Sequence, residues 1–265
     1  MGPYMQIIYP DDYSNLCKPD ETFELEYLCA RQRGVHCLLL ASEAAAMGKY
    51  QFSATFESGS PVVWRGWMLN ADEYRQLYGA VAARGGKMLE SPEEYISNHY
   101  ITGWYDRCKA YTPETIITTA DADFGRLVSQ LQWPAYFVKD YVKSLTTSRG
   151  SVAKDAQEVA EILSLIVHFR GSVEGGVSLR RVEEFVNNTE RRYFSLNGRV
   201  FSSDDQIPEF VYEIARCVET PFYSIDIVEN TQGELRLVEI GDGQVSDIKE
   251  WEAEKLIEAF CLSGI

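Results

Sequence analysis

The chain lacks the residue patterns that mark several large classes of protein. Its 265 residues include only three histidines, widely separated, and six cysteines without a C-x-x-C spacing. A histidine-rich metal site and a dense disulfide framework are therefore not expected, and we predict reduced thiols. No apolar run approaches the length of a membrane span, and the first residues do not resemble a secretion signal. These absences predict a cytoplasmic protein with no membrane partner.

The chain is also short of positive charge. Its formal net charge is −15 and its pI is near 4.7, so a nucleic acid is not an expected partner. An anionic ligand must instead meet a local cluster of lysines and arginines. The Walker A pattern for phosphate binding is absent. The hydrophobic and aromatic contents are ordinary for a folded domain, and the length allows one large domain or two smaller ones.

Two apolar stretches near the C-terminus each contain one carboxylate. Phe222 to Val228 and Leu235 to Ile240 are predicted strands of a hairpin, with Asp226 in the first and Glu239 in the second. A buried carboxylate needs a cation or a donor nearby, and Mg²⁺ takes oxygen ligands from one or two carboxylates. The alternative is that both side chains lie on the solvated face of an edge hairpin.

The first hundred residues alternate between strand and helix patterns. Met5 to Tyr9 and Val35 to Leu40 read as strands around a helix over Asp20 to Arg33, which predicts a β-α-β unit with parallel strands. Asn70 and Glu73 have the spacing of a capping box at the start of another helix. The pattern indicates a small open α/β domain.

Arg65 interrupts a strand-like run over Pro61 to Leu69, and Trp67 follows it closely. Arg65 either has a structural role at a strand end, which we favour, or meets an anionic ligand. If both residues lie at the carboxyl end of a strand they face a cleft, where Arg65 is placed to hold a substrate carboxylate.

Lys139 and Lys143 lie in and after a strand-like stretch, and the small polar loop Leu145 to Ser151 follows them. Ammonium groups and free backbone N–H donors are what a polyphosphate requires. The alternative is a surface loop with solvated lysines. Further along the chain, Asp155 caps a predicted helix that runs to about Arg170, and a hairpin turn is expected at Asn197-Gly198.

The order of these features resembles that of an ATP-grasp domain over roughly Trp104 to Ser246. The resemblance identifies the strand of Lys139 with the one whose lysine reaches the ATP phosphates, and the loop that includes Ser148 with the mobile phosphate loop. It identifies Asp226 and Glu239, 13 residues apart, with the two metal carboxylates. By the same resemblance, the adenine hinge contains Glu183, Glu184 and Val186. The carboxylate that binds the ribose is then Glu190.

Two departures from the family pattern stand out. The family usually has Asn two residues after the second metal carboxylate, whereas this chain has Gly241, and Asp242 is the expected replacement ligand. The lysine that usually precedes the phosphate strand is displaced, with Arg107 and Lys109 as candidates. The chain is most similar to a divergent phage and bacterial clade named for two arginines and a lysine.

The resemblance implies an α/β chain of the α+β ATP-grasp type. A small pre-ATP-grasp α/β domain is expected over residues 1–110. An N-lobe with the phosphate loop and adenine hinge is expected over 111–188, and a C-lobe with the metal-binding hairpin over 189–265. The two lobes are expected to clasp ATP between them.

The resemblance also implies an ATP- and Mg²⁺-dependent carboxylate–amine ligase that forms an acyl phosphate and releases ADP and phosphate. Its substrates are expected to be an amino acid, peptide or small amine, and a homodimer is the default assembly. Lys139 and Lys143 neutralise phosphates, and Arg192 either reaches the transferred group or is an exposed strand arginine. The alternatives are an ATP-grasp phosphotransferase, a non-catalytic nucleotide-binding module, and a structural or interaction protein whose carboxylates and lysines are surface groups.

Overall fold

The computed structural model describes residues 5–145 and 147–263, and these residues form two compact units. Each unit combines stretches that are distant in sequence. The first unit holds the described residues of Met1–Asn98, Arg191–Ile225 and Gly241–Ile265, and the second holds those of His99–Glu190 and Asp226–Ile240. The division into three consecutive domains at residues 110 and 188 stays a prediction.

The strands form three sheets and include the predicted strands that carry Lys139, Asp226 and Glu239. The predicted run over Pro61 to Leu69 is a strand only as far as Trp64. Three short strands, the second, the sixth and the eighth, were not expected. In chain order the strands are β1 (Gln6–Asp12), β2 (Asn15–Pro19), β3 (His36–Leu40), β4 (Pro61–Trp64), β5 (Lys87–Met88), β6 (Thr115–Thr118), β7 (Tyr136–Asp140), β8 (Val152–Ala153), β9 (Val177–Arg181), β10 (Arg191–Leu196), β11 (Arg199–Ser202), β12 (Phe222–Glu229) and β13 (Leu235–Asp242).

The helices lie between these strands, except for the last helix, which follows β13. In chain order they are α1 (Glu24–Gln32), α2 (Ser42–Ala46), α3 (Ala71–Ala82), α4 (Pro92–His99), α5 (Ile101–Cys108), α6 (Phe124–Leu131), α7 (Ala156–Arg170), α8 (Glu209–Ala215) and α9 (Ala253–Leu262). Among residues 5–145 and 147–263, no helix combines the length and the apolar character that a bilayer crossing requires.

Local capping explains where two of the predicted helices begin. Asn70 Oδ1 accepts hydrogen bonds from the backbone N–H groups of Asp72 and Glu73, and Glu73 Oε2 accepts one from the backbone of Asn70. The capping box at the start of α3 is confirmed. Asp155 caps α7 in the same way, through the backbone N–H of Glu158. These bonds satisfy donors that a helix start otherwise leaves open.

The first unit contains a mostly parallel sheet, with β2 antiparallel at one edge, and apolar clusters cover both faces. Strands β3, β4 and β5 follow the direction of β1, with β3 and β4 on either side of it, so the predicted β-α-β unit is confirmed. Ile7 packs into one apolar cluster with Phe194 and Trp251, whereas Ile8 packs into another with Tyr74. This alternation buries successive side chains on opposite faces of the same strand.

The second unit contains an antiparallel sheet in the order β6-β9-β7-β8. Val138 and Leu179 lie on the face that packs against α7, where they join Ile162 in an apolar cluster. Because side chains alternate along a strand, Lys139 and Arg180 lie on the opposite face. The pairing of Phe137 with Arg180 and of Lys139 with Ser178 brings that lysine and that arginine onto adjacent strands.

The third sheet has the order β11-β10-β12-β13. Strands β10 and β11 form the predicted hairpin, with Asn197 and Gly198 both at positive φ in its turn. The chain leaves the first unit within β12, after Ile225, and returns to it within β13, after Ile240. Asp226 and Glu239 both belong to the second unit.

Candidate functional site

The two hairpin carboxylates have different environments. Asp226 is 1% exposed and lies in β12 between the buried residues Ile225 and Ile227. The side chain of Glu239, on the neighbouring strand β13, is 37% exposed. The alternative in which both side chains lie on a solvated face is therefore wrong for Asp226. The pairing of the two strands, which the hairpin pattern predicted, is confirmed.

Lys139 reaches the partly exposed carboxylate. Its Nζ lies 3.0 Å from Glu239 Oε2, and its side chain is only 8% exposed. A lysine buried to this extent requires a compensating negative charge, which Glu239 supplies. The lysine predicted to bind phosphate and a carboxylate predicted to bind metal therefore lie in one place, although they are 100 positions apart in the sequence.

Arg180 is a further charged residue on the same sheet face as Lys139, and it is not among the site residues predicted from the sequence. It is 6% exposed, and its Nη1 donates a 2.6 Å hydrogen bond to the carbonyl oxygen of Val238. Its Nε and Nη2 are buried and have no hydrogen-bond partner among the described residues. Burial lowers the pKa of Arg180, and the nearby Glu239, Tyr105 and Glu183 oppose this effect. A buried guanidinium with two open donors is suited to an oxyanion.

The segment predicted as the adenine hinge runs beside the turn of the β12–β13 hairpin. The backbone N–H of Val186 donates to the carbonyl oxygen of Glu229 at 2.8 Å, and the carbonyl oxygen of Glu184 accepts from Thr231 N at 3.0 Å. Residues 184 and 186 therefore direct their backbone groups toward the hairpin. By the alternation of an extended chain, Glu183 and Phe185 direct theirs to the other side.

The side chain of Glu183 is engaged by Arg236 of β13. Glu183 Oε2 accepts from Arg236 Nε at 2.8 Å, and Oε1 accepts from Nη2 at 2.9 Å. The predicted ribose carboxylate, Glu190, is exposed. The structure thus places the predicted hinge segment beside β13, and the carboxylate of Glu183 is bound by Arg236 of that strand.

The predicted phosphate loop follows β7. Asp140 Oδ1 accepts hydrogen bonds from the backbone N–H groups of Val142 and Lys143, so a tight turn leaves the Lys143 side chain exposed. The backbone N–H of Leu145 donates to Ser151 Oγ at 2.7 Å, which ties the two ends of the loop together. Ser148 is exposed in this loop, and Thr146 lies outside the described residues.

Arg65 and Trp67 belong to the first unit. Arg65 is 1% exposed and forms two hydrogen bonds of 2.9 and 2.7 Å with the carboxylate of Glu26. Its Nη1 also donates to the carbonyl oxygens of Gly243 at 2.7 Å and of Ser246 at 2.9 Å. These contacts favour the structural alternative for Arg65. Trp67 is 52% exposed, and the role of both residues in substrate binding stays a prediction.

Arg192 and Asp242 also lie in the first unit. Arg192 is 6% exposed and donates through Nη1 to the backbone oxygen and to Oδ1 of Asp247, so its description as an exposed strand arginine is wrong. Burial raises the pKa of Asp242 to about 6, and burial beside Asp242 raises that of Glu90 well above its usual range. Gln244 Nε2 donates to Glu90 at 2.7 Å. The role of Asp242 as a metal ligand stays a prediction.

A family model for an ATP-grasp domain matches residues 93–260, more than half of the chain. It describes the third family of the clade named for two arginines and a lysine. The chain belongs to the ATP-grasp family. The fold is accordingly the mixed α+β ATP-grasp fold that the sequence analysis expected. No curated protein matches the chain.

Solved structures of two ligases and a synthetase are similar to nearly the whole chain. The D-alanine-D-alanine ligase of Coxiella burnetii has a TM-score of 0.61 at 11% identity, with 98% of this chain and 96% of that chain covered. The D-alanyl-alanine synthetase A of Vibrio cholerae has a TM-score of 0.60 at 12% identity, with 99% and 98% covered. The ATP-grasp ligase PsnB, solved with a precursor variant, Mg and ADP, has a TM-score of 0.57 at 11% identity, with 100% and 98% covered. At these identities the likeness shows the fold.

Two departures from the ATP-grasp pattern have a structural context. Arg107 and Lys109, the predicted substitutes for the displaced lysine, are exposed, whereas Arg180 is buried beside Glu239. A Cβ atom at Gly241 would lie 2.8 Å from Ser224 Oγ and 3.1 Å from Ser246 Oγ. An asparagine at position 241 therefore requires these hydroxyl groups to move. Arg180 has a weak sequence signal, because it falls on the same strand face as Ser178, opposite the apolar Val177 and Leu179.

Proposed function

We propose that this protein is an ATP- and Mg²⁺-dependent carboxylate–amine ligase that releases ADP and phosphate. The observation that carries the proposal is the convergence of Lys139, Arg180 and Glu239 on one face of the second unit's sheet. Two buried cations beside a partly exposed carboxylate suit a magnesium-bound polyphosphate. The two open donors of Arg180 support this use, because they cost free energy until an oxyanion accepts from them.

The donor set fits Mg²⁺. Asp226 and Glu239 are hard oxygen ligands on neighbouring strands, and Mg²⁺ takes its other ligands from water and phosphates. Among the described residues, no group of three or more His, Cys, Asp or Glu side chains lies together in a way that could hold a metal. Two carboxylates are sufficient for Mg²⁺, so we propose Asp226 and Glu239 as the metal ligands. The role of Asp242, which belongs to the first unit, stays a prediction. Bound Mg²⁺ supplies charge neutralisation for the phosphoryl group.

The cationic side chains have separate tasks in this proposal. Lys139 exchanges its contact with Glu239 for phosphate oxygens, and Arg180 donates to an oxyanion through Nε and Nη2. Lys143 is exposed and extends from the turn before the phosphate loop, where Ser148 is also exposed. We also propose that Arg192 contacts the phosphoryl group that is transferred. These positive charges stabilise the charge that develops on the phosphoryl oxygens during transfer.

The nucleotide base is assigned to the hinge segment. Because Glu184 and Val186 direct backbone groups to the hairpin, the backbone carbonyl of Glu183 and the N–H of Phe185 are the groups best placed for an adenine edge. We therefore propose that the backbone N–H of Phe185, rather than that of Val186, donates to the adenine, because Val186 N already donates to Glu229 O. Glu190 remains the proposed ribose contact.

The substrate class rests on the solved structures that share the fold. Their names describe a D-alanine-D-alanine ligase, a D-alanyl-alanine synthetase and a ligase bound to a variant of its precursor. We therefore propose amino acids or peptides as the carboxylate and amine substrates. Acyl phosphate formation followed by attack of the amine gives a C–N bond, and it needs no protein nucleophile.

The experiment is a measurement of ADP release with Mg²⁺ and ATP over pairs of amino acids and short peptides, with Lys139→Met beside the wild type. The matched control is Lys154→Met, because Lys154 is an exposed lysine of the same unit. ADP release that requires both substrates, survives in the control and is lost in Lys139→Met supports a ligase. A stable phosphorylated product formed from one substrate indicates a phosphotransferase instead. Nucleotide binding without turnover over the whole panel indicates a binding module.

A further inference from the structure

Glu183 and Arg236 form a two-point ion pair between the proposed hinge segment, residues 183–186, and strand β13. The N–H···O distances are 2.8 and 2.9 Å, and the side chains are 27% and 20% exposed. Glu183 lies two residues beyond β9, the strand of Arg180. Arg236 lies on β13, three residues before Glu239. A two-point contact restricts the orientation of both side chains, which a single contact between flexible groups does not.

The backbone beside this pair also joins the two segments. Val186 N donates to Glu229 O, and Thr231 N donates to Glu184 O, so the bonds lie on either side of Phe185. The hinge is therefore held to the hairpin at two levels, by backbone hydrogen bonds at residues 184 and 186 and by the side-chain pair at Glu183. The Glu183–Arg236 ion pair therefore holds the side chain of Glu183, whose backbone carbonyl is the group proposed to bind the nucleotide.

The same strand contacts the sheet at two further charged positions. Val238 O accepts from Arg180, and the carboxylate of Glu239 accepts from Lys139. Residues 236, 238 and 239 of β13 are thus each joined to a charged residue on or next to β9 and β7. A shift of β13 relative to the sheet therefore changes the hinge and the position of Glu239 together.

We propose that Glu183 and Arg236 are positioning residues that couple nucleotide binding at the hinge to metal binding on β13. This inference rests on the proposed function. The carboxylate of Glu183 is committed to Arg236, so its contribution is to hold the hinge backbone rather than to contact the nucleotide. Metal at Glu239 fixes β13, and β13 in turn fixes the hinge through Arg236.

The test measures the dissociation constant of ADP with and without Mg²⁺ by calorimetry, because the ratio of the two reports the coupling. The variants are the single reversals Glu183→Arg and Arg236→Glu and the double exchange Glu183→Arg/Arg236→Glu. The matched control is Arg181→Glu, because Arg181 is an exposed arginine lining the same groove as Glu183 and Arg236. Circular dichroism verifies that each variant is folded.

We expect each single reversal to reduce the ratio by roughly fivefold to tenfold, within the usual range of coupling between sites. The double exchange restores the ratio to within about twofold of the wild type, and Arg181→Glu leaves it unchanged. A purely structural role instead lowers the unfolding midpoint of the reversals and leaves the ratio unchanged, which overturns the proposal. A double exchange that stays as uncoupled as the single reversals also overturns it.

Neutral variants cover the case in which a reversal does not fold. In Glu183→Gln, Arg236→Gln and their double variant, each single change should reduce the ratio, and the second change should add little to the first. Independent effects of the two changes contradict the proposal. Wild-type protein that binds no ADP refutes the proposed function and this inference together, whereas wild-type binding with an unchanged ratio in the variants refutes only the inference.

Discussion

Lys139 Nζ lies 3.0 Å from Glu239 Oε2, so the proposed phosphate lysine is held by one of the proposed metal carboxylates. The two charges compensate each other in a place where the lysine is only 8% exposed. In the proposed function, Lys139 would need to leave Glu239 to bind phosphate, and Glu239 would need to leave Lys139 to bind metal. We therefore expect Mg²⁺ and nucleotide to bind cooperatively.

Glu239→Gln tests this exchange. The amide does not hold the lysine as a carboxylate does, so we expect ADP without Mg²⁺ to bind roughly threefold to tenfold more tightly than to the wild type, a difference of about 1 kcal/mol. The additional affinity that Mg²⁺ gives to the wild type should disappear. Calorimetric titration with ADP in the presence of EDTA and of Mg²⁺ measures both effects. Weaker metal-free binding in Glu239→Gln contradicts the exchange.

Arg180→Met separates stability from binding. The substitution removes a buried charge and two donors without partners, which stabilises the folded protein. It also removes the hydrogen bond to Val238 O, which destabilises the folded protein by about 1 kcal/mol. We expect the free energy of unfolding in urea to stay within about 1 kcal/mol of the wild type or to rise. ADP affinity should fall by about tenfold to a hundredfold, because charge-assisted hydrogen bonds contribute roughly 1.5–3 kcal/mol.

The control for this prediction is Arg126→Met, which replaces an exposed arginine of the same unit and should change neither quantity. If Arg180→Met destabilises the protein by several kcal/mol while the affinity for ADP is unchanged, Arg180 is a structural residue. Its assignment to the nucleotide site is then wrong.

Part of this site was predictable from the sequence. Asp226 and Glu239 stand out because each is a carboxylate in an apolar strand, and the short turn between those strands requires them to be neighbours. Arg180 was missed because its importance depends on the pairing of β9 with β7, which brings residues about 40 positions apart together. Local alternation indicates that Arg180 faces away from Leu179 but does not indicate which strand lies beside it.

The environments of Arg65 and Asp242 were less predictable for a similar reason. Arg65 is enclosed by Glu26 and by carbonyl oxygens nearly 180 positions further along the chain. Asp242 shares its buried position with Glu90, which comes from the first hundred residues. A charged residue at a strand end has the same local pattern whether it meets a ligand or another part of the chain. Only the tertiary contacts distinguish the two cases.

Asp242 gives a prediction about pH. Burial raises its pKa from the ordinary value of 3.8 to about 6, so the folded protein holds a proton that the unfolded chain releases between these values. The contribution of this carboxyl to stability is present below about pH 4 and is lost as pH rises through about 6. The difference between 3.8 and about 6 corresponds to roughly 3 kcal/mol.

The measurement compares urea unfolding of the wild type and Asp242→Asn between pH 4.5 and 7.5. We expect the free energy of unfolding of the wild type minus that of the variant to fall as pH rises. The comparison is needed because His99, whose pKa burial lowers to about 4, makes stability rise over the same range. Asp106→Asn, at an exposed aspartate, should give a flat difference. If this difference does not change with pH for Asp242→Asn, the folded protein does not hold a proton on Asp242 in this pH range.

The Glu26–Arg65 pair gives the largest expected effect on stability. Arg65 is 1% exposed, so Glu26→Gln leaves a buried guanidinium without its counter-charge, which costs about 3–5 kcal/mol. The double variant Glu26→Gln/Arg65→Met removes both charges and should recover much of that loss. Urea unfolding measures both, with Glu254→Gln as a control at an exposed carboxylate. A cost below about 1 kcal/mol for Glu26→Gln contradicts the structural role. In that case a loss of substrate affinity in Arg65→Ala, measured as a higher KM, supports the carboxylate-binding role instead.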